Sequence, residues 1–311
     1  MKAIIYKYLD EKGAIETIKN NSVILRTPIE YNDPFDCVIS TTEKEKNQAL
    51  ELLINYQMFK GLFDAFNKVS TSSTKLKFIA MMLKKELDVI AKSTKTHKKY
   101  TLQPALLPYR VQVLKYLNKN KKTLSLEFDK AMEEAFIKMR SGVIISCFGS
   151  SYDSILMWSH YANKHKGACI EYEIDDKDFF PVVYSQNMPK YQLNQTFEVM
   201  FGHQFINKEV EDNDDRYYFT FEPLLIKSNV WQYEGEIRCV YSYKKRNPKI
   251  YEAQDEKGNA ILLLKMPKMK RIFLGCNAEN DFIQTVKELA YDVPIVKMKM
   301  KENEYGIEPK E

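Results

Sequence analysis

The chain has 311 residues, of which 44% are hydrophobic and 29% are charged, and its formal net charge is +5 at pH 7. This composition is typical of a globular protein with room for a large core or two domains, and it includes no apolar run of membrane-spanning length, so no membrane partner is expected. The five cysteines form no Cys-x-x-Cys pair and the N-terminus has no signal-peptide pattern, which argues against disulfides, zinc and secretion and favours the cytoplasm.

The first 40 residues have a strand, helix, strand pattern. Apolar alternation predicts strands over residues 4–8 and 23–27, and helical spacing predicts a short helix over residues 13–21. The run Asn-Asp-Pro-Phe-Asp at 32–36 predicts a turn, because Asn and Asp side chains accept backbone hydrogen bonds and proline has a fixed φ.

Residues 41–140 differ from the rest in periodicity and in charge. Their apolar residues recur at helical spacing, which predicts an inserted helical lobe with a loop over residues 93–108. The segment has 20 Lys and Arg against 10 Asp and Glu, whereas the rest of the chain has 27 against 32. This excess favours a polyanion such as nucleic acid, although a solvated lysine-rich helix face has the same pattern. The candidate acceptor-binding residues are Lys95, Lys98, Lys99, Lys121 and Lys122.

Strand patterns return after the helical segment. Helices are predicted over residues 154–163 and 279–289, and an acidic loop is expected at 211–215. The predicted strands cover residues 143–148, 167–174, 231–241, 240–251, 261–264 and 270–274. The charged residues 297–311 are expected to form a frayed tail.

These elements together predict an α+β fold. Residues 1–40 and 141–296 would form a catalytic-type core with a mixed or antiparallel sheet, interrupted by a basic helical insert at 41–140. No glycine-rich phosphate loop occurs in the sequence, which argues against a Rossmann-type or kinase-type nucleotide site.

The segment 231–238 has the most distinctive pattern of charged residues. On the predicted strand, the side chains of Glu234, Glu236 and Arg238 would share one face. Two carboxylates and a guanidinium on one face are unfavourable unless they pair or take part in chemistry. A structural ion pair on the solvated face of a strand would have the same pattern, so both interpretations remain open.

Six short motifs together resemble a bacterial family of unknown function. They are Tyr-Lys-Tyr at 6–8, Asn-Asp-Pro-Phe-Asp at 32–36, Ser-Cys-Phe at 146–148, Met-Trp-Ser-His-Tyr-Ala at 157–162, His-Lys-Gly at 165–167 and Trp-x-Tyr-Glu-x-Glu-Ile-Arg at 231–238. Members of that family look like accessory or phage-defence genes. The resemblance therefore implies a toxin or antiviral effector with an antitoxin or regulatory partner.

Three of these motifs also resemble the motif order of ADP-ribosyltransferases. That class has Arg or His on a first strand, a serine or aromatic segment on a middle strand, and Glu, often Glu-x-Glu, on a later strand. Lys7, residues 146–150 and residues 234–236 take those places here, and Lys7 departs from the expected Arg or His. The resemblance implies an ADP-ribosyltransferase-like core that uses NAD as substrate.

The same resemblance implies roles for individual residues. Glu236 would stabilise the transition state and Glu234 would assist the acceptor, because cleavage of the NAD glycosidic bond develops positive charge on the ribose. The implied NAD-binding residues are Tyr6, Lys7, Tyr8, Ser146, Phe148, His160, Tyr161 and Arg238. The basic insert makes nucleic acid the preferred acceptor, followed by protein.

Two other functions remain open at this stage. A nucleic-acid-binding or sensing protein without catalysis would use the Glu-Arg triple structurally. A metal-dependent nuclease would use the carboxylates of Asp33, Asp36, Glu234 and Glu236, although no residue spacing predicts a metal site. Binding of NAD without added metal distinguishes the first function from these two.

Overall fold

The chain divides into two compact units. The first comprises Met1–Val38, Met139–Met188 and Tyr217–Glu311, and the second comprises Ile39–Lys138 and Pro189–Arg216. The computed structural model describes residues 3–38, 40, 42–44, 46, 47, 50, 107–174, 178–189, 222–243 and 247–310. Lys95, Lys98, Lys99, the acidic loop at 211–215 and most of the loop predicted at 93–108 lie outside the described residues.

An eight-stranded sheet forms the centre of the first unit within the described residues. The strands in chain order are β1 (Ala3–Leu9), β2 (Ser22–Leu25), β3 (Val143–Gly149), β4 (Ala168–Ile174), β5 (Phe179–Pro181), β6 (Val183–Ser185), β7 (Ile226–Ser228), β8 (Glu236–Ser242), β9 (Ile250–Gln254), β10 (Ala260–Lys265), β11 (Met269–Leu274), β12 (Ile295–Met300) and β13 (Ile307–Pro309). The main sheet has the order β13-β12-β11-β4-β1-β3-β8-β5, and β2-β10-β9 and β6-β7 form smaller sheets. Neighbours in the main sheet are antiparallel except β11 and β12, so the predicted α+β fold with a mostly antiparallel sheet is confirmed.

Four α-helices lie among the described residues, and the first has clear capping residues at both ends. They are α1 (Glu11–Asn20), α2 (Leu107–Ser141), α3 (Ile155–Tyr161) and α4 (Asn280–Leu289), with 3-10 helices at Pro28–Glu30, Glu222–Leu225 and Asn229–Glu234. Asp10 caps α1 by accepting a 2.7 Å hydrogen bond from the backbone of Gly13, and Asn21 ends it in the left-handed region. Among the described helices, none is long and apolar enough to cross a membrane.

The main sheet is covered on both faces. On one face, Ile5, Ile170 and Ile272 are fully buried together with Phe282 and Val286 of α4. On the other face, Trp158 of α3 is fully buried among Tyr8, Cys169 and Phe273. This two-sided burial fixes the central strands, which carry the predicted site residues.

Three parts of the predicted secondary structure are wrong. The strand expected from residue 231 begins only at Glu236, because Asn229–Glu234 is a 3-10 helix that ends at Gly235 with a φ of 49°. The strand expected over 240–251 is two strands, since β8 ends at Ser242 and β9 begins at Ile250. The expected frayed tail contains β12 and β13, which extend the edge of the main sheet.

Candidate functional site

The three predicted motifs lie on neighbouring strands of the main sheet. Tyr6 of β1 pairs with Gly149 of β3, and Gly149 pairs in turn with Glu236 of β8. The order β1-β3-β8 therefore brings together segments that are far apart in the sequence.

A buried cluster of charged side chains surrounds the start of β8. The Nζ of Lys227, on β7, donates to Glu234 Oε2 at 2.5 Å and to Glu236 Oε2 at 2.9 Å. It also lies 3.7 Å from Asp36 Oδ2, while Arg238 Nη2 lies 2.6 Å from that same oxygen. The five side chains are at most 8% exposed, so the charges depend on one another for stabilisation.

Glu234 and Glu236 meet although they do not share a strand face. Glu234 ends the 3-10 helix, whereas Glu236 begins β8, so the geometry predicted from strand alternation is wrong. The turn at Gly235 lets both carboxylates reach Lys227, and a Cβ at Gly235 would overlap Ser150 Oγ.

Arg238 is fully buried and directs its N–H groups at protein acceptors. Nε donates to Glu236 Oε1 at 2.8 Å, and Nη2 donates to Asp36 Oδ2 at 2.6 Å and to Glu236 Oε2 at 3.2 Å. Nη1 donates to Leu224 O at 2.5 Å and to Cys37 Sγ at 3.1 Å. These contacts engage all five donors of the guanidinium, so its clearest effect is to hold the Glu236 carboxylate in one orientation.

The two glutamates have pKa values shifted in opposite directions. Burial alone would raise the pKa of Glu236, but Arg238 and Lys227 outweigh burial and lower it to about 2. Burial raises the pKa of Glu234, against the effect of hydrogen bonds from Lys227 and Tyr161. At neutral pH Glu236 therefore keeps its charge, while Glu234 is the carboxylate that takes up a proton more readily.

Lys7 extends from β1 toward β3. Its Nζ donates to Cys147 O at 2.8 Å and to Ser146 Oγ at 3.1 Å, and lies 5.1 Å from the centre of the Phe148 ring. Burial lowers the pKa of Lys7, although the negative charge of Glu236 opposes the shift. Lys7 thus contacts two other predicted NAD-binding residues, Ser146 and Phe148, on the neighbouring strand.

Tyr6 and Tyr8 point away from Lys7, to the other face of β1. The ring of Tyr8 packs edge-on against Trp158 with centroids 5.4 Å apart, and the ring of Tyr6 lies 5.7 Å from that of Tyr152. These contacts give both tyrosines a packing role, and their contact with NAD stays a prediction.

The C-terminal end of α3 faces the charged cluster. The Tyr161 hydroxyl donates a 2.5 Å hydrogen bond to Glu234 Oε1. His160 is exposed, and its ring lies 6.5 Å from the ring of Tyr161 and 6.2 Å from that of Tyr233. Of these two predicted residues, Tyr161 therefore contacts a predicted glutamate directly.

A cleft with a volume of about 910 Å³ begins at these residues. On one side it is lined by residues of the charged cluster and its neighbours, namely Lys7, Ser146, Phe148, Tyr161, Lys227, Glu234 and Glu236. It is also lined by parts of α1, β2, β9 and β10, including Thr17 and Tyr251. Small-molecule sites in proteins have volumes of roughly 300–1,000 Å³, so the cleft has the size of a nucleotide site.

A protein-family model matches part of this region. It is described as "Protein of unknown function (DUF2971)" and matches residues 157–239. Neither the curated proteins nor the solved structures include a match to the chain. The matched segment contains Lys227, Glu234, Glu236 and Arg238, so four of the five charged residues lie in it. The predicted similarity to a family of unknown function is confirmed for this segment.

Two residues of the cluster were missed as NAD-site residues by the sequence analysis. Lys227 follows the apolar run Leu-Leu-Ile at 224–226, and a single charged residue at the end of an apolar run is a signal for a buried ion pair. Asp36 was expected in a turn or at a metal, but its carboxylate accepts from Arg238 and lies near Lys227.

The carboxylates proposed for a nuclease are arranged around cations of the protein itself. Asp36, Glu234 and Glu236 contact Lys227 or Arg238, while Asp33 Oδ1 accepts from Phe35 N at 2.9 Å and shapes the turn. In the part of the chain that the structure describes, no group of three or more His, Cys, Asp or Glu is arranged to hold a metal.

The described part of the predicted acceptor patch lies on a long helix. Lys121 and Lys122 are exposed on α2, within the second unit. Their exposure is compatible with polyanion binding and equally with a solvated helix face.

Proposed function

We propose that this protein is an ADP-ribosyltransferase-like enzyme that cleaves NAD and transfers ADP-ribose to a macromolecule, with nucleic acid preferred to protein. The observation that carries the proposal is the ionised Glu236 carboxylate, held by two cations at a cleft that Lys7 also lines. The strand order β1-β3-β8 supports an ADP-ribosyltransferase-like core, because ADP-ribosyltransferases carry their three motifs on three strands.

The reaction requires stabilisation of a charge that moves onto the ribose. The bond between nicotinamide and C1′ breaks, nicotinamide leaves with the bonding electrons, and an acceptor lone pair forms the new bond to C1′ while the acceptor loses a proton. A fixed carboxylate stabilises the oxocarbenium-like transition state. Glu236 suits this role because Arg238 holds both of its oxygens and lowers its pKa.

The charges of the cluster favour a cationic ligand. Three carboxylates, those of Asp36, Glu234 and Glu236, face the two cations of Lys227 and Arg238. One negative charge therefore remains when all five groups are ionised. This excess attracts the cationic nicotinamide end of NAD and stabilises the charge as it shifts to the ribose.

Glu234 is suited to a different step. A general base works best when its pKa is near the working pH, and burial raises the pKa of Glu234 in that direction. Glu234 would therefore take the proton that the acceptor loses. Tyr161 holds this carboxylate by a hydrogen bond, is partly exposed and lines the cleft, so it offers an aromatic surface for nicotinamide. Lys7 supplies a cation for the pyrophosphate, and Arg238 acts as a positioning residue for Glu236.

The proposal is tested by incubating the full chain with NAD, a chelator and, in separate reactions, RNA, DNA and protein. We expect release of nicotinamide and a fall of about 10²–10³ in turnover for Glu236→Gln at nearly unchanged NAD affinity. Glu308→Gln, which breaks only a half-exposed ion pair with Lys299, is the matched control and should retain turnover.

Three outcomes contradict the proposal. They are no nicotinamide release with any acceptor, wild-type turnover in a folded Glu236→Gln protein, and wild-type turnover in a folded Glu236→Asp protein, whose shorter carboxylate would be displaced from the ribose. Binding of nucleic acid without NAD turnover would favour the non-catalytic sensing function, and metal-dependent cleavage would favour a nuclease. An effector role in defence stays a prediction of the family resemblance.

A further inference from the structure

The three-stranded sheet β2-β10-β9 has an apolar face that forms a wall of the cleft. Leu263 of β10 pairs with Ile24 of β2 on one side and with Tyr251 of β9 on the other, so their side chains form a row across the sheet. All three line the cleft, whereas Val23 and Leu264, their neighbours along the strands, are buried in the core. Because side chains alternate along a strand, this sheet has two apolar faces, and one of them is open to a ligand.

The ring of Tyr251 lies across the middle strand of this sheet. Its hydroxyl, which starts from β9, donates a 3.1 Å hydrogen bond to Ser22 Oγ on β2. Neighbouring strands are about 4.8 Å apart, so a hydrogen bond between the two outer strands carries the ring over β10. Tyr251 is nevertheless 40% exposed. It therefore offers the cleft a flat aromatic face whose position is fixed.

An arginine lies at the end of the same sheet face. Arg26 follows Ile24 by two residues and also lines the cleft. Its backbone is held by hydrogen bonds of 2.9 and 2.8 Å to Ile145 of β3. The ion pair of its guanidinium with Glu30 is long, 3.9 Å, and the two side chains are 58% and 52% exposed. The guanidinium is thus accessible on a fixed backbone.

Arg26 and Lys7 bring two positive charges to one cleft. Burial is the main cause that lowers the pKa of Lys7, and the like charge of Arg26 acts in the same direction. Two cations that repel each other are stabilised by an anion that contacts both. A guanidinium suits a phosphate group in particular, because it donates two parallel hydrogen bonds to phosphate oxygens.

The pairing of the strands sets the order of these groups along the cleft. Strand β3 pairs with β8 at Glu236, and Ile145 of β3 forms a bridge with Arg26 at the end of β2. From β2 the three-stranded sheet continues through β10 to Tyr251 on β9. The groups therefore follow the order carboxylate, cation, aromatic ring. A dinucleotide with a cationic nicotinamide ring, two phosphates and a purine has the complementary order.

We infer that this face of the cleft is a purine-nucleotide subsite, in which the base stacks on Tyr251 and the phosphate binds Arg26. A purine has the largest planar face among the bases, and Ile24 and Leu263 extend the apolar surface beside the tyrosine ring. The inference rests on the proposed function for the source of the nucleotide, the adenylate half of NAD. It makes that half a determinant of substrate choice.

The base contact is tested by titration calorimetry with AMP as the probe, which needs no turnover. We expect Tyr251→Leu to weaken AMP binding at least about fivefold, as for one lost stacking contact. Tyr251→Phe keeps the ring and loses only the hydrogen bond to Ser22, so it should retain most of the affinity. Nicotinamide mononucleotide, which has no purine, should bind wild type and Tyr251→Leu equally. Tyr305→Leu, at a fully exposed tyrosine, is the matched control.

The phosphate contact is tested with a pair of probes. Arg26→Met should weaken AMP binding about tenfold, the scale of a lost hydrogen bond to a charged group, and should leave the affinity for adenosine unchanged. Arg271→Met, at an exposed arginine that does not line the cleft, is the matched control and should change neither affinity. An equal loss for AMP and adenosine in Arg26→Met would overturn the phosphate contact.

The outcomes separate the purine-nucleotide subsite from the proposed function. AMP binding that falls in Tyr251→Leu and recovers in Tyr251→Phe supports the subsite. No AMP binding, or equal affinities in wild type and Tyr251→Leu, overturns the subsite, and nicotinamide release by the same protein would leave the NAD reaction standing. Equal losses in Tyr251→Leu and Tyr251→Phe overturn stacking on the ring. AMP binding without nicotinamide release overturns the proposed function and supports the subsite as a nucleotide site.

Discussion

Arg238 and Asp36 form a buried ion pair between residues that are 202 positions apart. Arg238 Nη2 lies 2.9 Å from Oδ1 and 2.6 Å from Oδ2 of Asp36, and the two side chains are 0% and 3% exposed. The pair ties the turn at 32–36 to strand β8, so the turn motif contributes to the charged cluster and not only to the local backbone.

Loss of the Asp36 carboxylate should destabilise the fold. Asp36→Ala would leave the fully buried guanidinium of Arg238 with one carboxylate partner fewer, and removal of one partner of a buried pair costs about 3–5 kcal/mol. Urea unfolding measures the free energy of unfolding. Asp292→Ala removes an exposed partner of Lys268 and should cost less than about 1 kcal/mol. Equal effects of the two variants would show that the buried pair contributes no more than a surface pair.

Acid should weaken the fold partly through Glu236. Its pKa in the folded protein, about 2, is below its ordinary value of 4.5. The folded state therefore binds this proton less readily than the unfolded chain, so the stabilisation is complete above pH 4.5 and is lost as the pH falls toward 2. Glu234 has the opposite sign, because its pKa is raised by burial, and its protonation at low pH favours the folded state.

The measurement for this pH dependence is urea unfolding at about pH 7 and about pH 3. Glu236→Gln should reduce the difference in unfolding free energy between the two pH values, whatever its effect at neutral pH. Glu308→Gln should retain the wild-type difference, since its ion pair is half exposed. An unchanged difference in Glu236→Gln would mean that other groups cause the acid sensitivity.

The sequence was sufficient to predict elements in which periodicity and burial agree. Strand β3 has an apolar pattern that matches its burial, and Ser154 caps α3 as its residue type predicts. In α3, Met157 and Trp158 are buried but Ile155 and Leu156 are exposed. The 3-10 helix Asn229–Glu234 was missed because the apolar residues in and after it alternate as in a strand. Its end depends on the positive φ of Gly235, which periodicity does not reveal.

Long-range ion pairing explains what the sequence analysis could not predict about the site. Glu234 and Glu236 were identified from their spacing. No local pattern indicates that Lys227 pairs with Glu236, or that Asp36 pairs with Arg238 and lies near Lys227. Strand β12 did have a signal in the sequence, because the buried Met298 alternates with lysines, but the high local charge favoured the interpretation as a tail.

Lys7 should affect NAD binding more than turnover. Lys7→Met removes the cation proposed for the pyrophosphate, so the KM for NAD should rise about tenfold while kcat changes less. Lys7→Arg keeps the charge and introduces the arginine that ADP-ribosyltransferases have at this place, so it should recover much of the affinity for NAD. Lys299→Met, at a half-exposed lysine of β12 that does not line the cleft, is the control. Equal kcat losses in Lys7→Met and Lys7→Arg would instead point to a role for the amine in catalysis.

The basic residues of the second unit should contribute to polyanion binding. Replacement of Lys95, Lys98, Lys99, Lys121 and Lys122 by Gln should weaken oligonucleotide binding and flatten its dependence on salt, because fewer counterions are released. NAD hydrolysis in the absence of acceptor should not change. Unchanged affinity and salt dependence would identify the lysines as a solvated surface.

Glu234 should separate transfer from hydrolysis. Glu236 holds its charge in both reactions, whereas Glu234, the carboxylate with the raised pKa, would take the proton of a bound macromolecular acceptor. In hydrolysis the attacking water can pass its proton directly to solvent, so Glu234 matters less there. Glu234→Gln retains the shape of the side chain and can still accept from the Tyr161 hydroxyl, but it cannot take a proton. We expect ADP-ribose transfer to the oligonucleotide to fall about 10²–10⁴-fold, the usual size of a general-base contribution, and nicotinamide release to water to fall far less. Tyr161→Phe is the companion variant, since it removes the hydrogen bond to Glu234 and should lower transfer by a smaller factor while the glutamate remains. Parallel losses of transfer and hydrolysis in Glu234→Gln would assign both glutamates to the cleavage of NAD and leave the acceptor without a base from this pair.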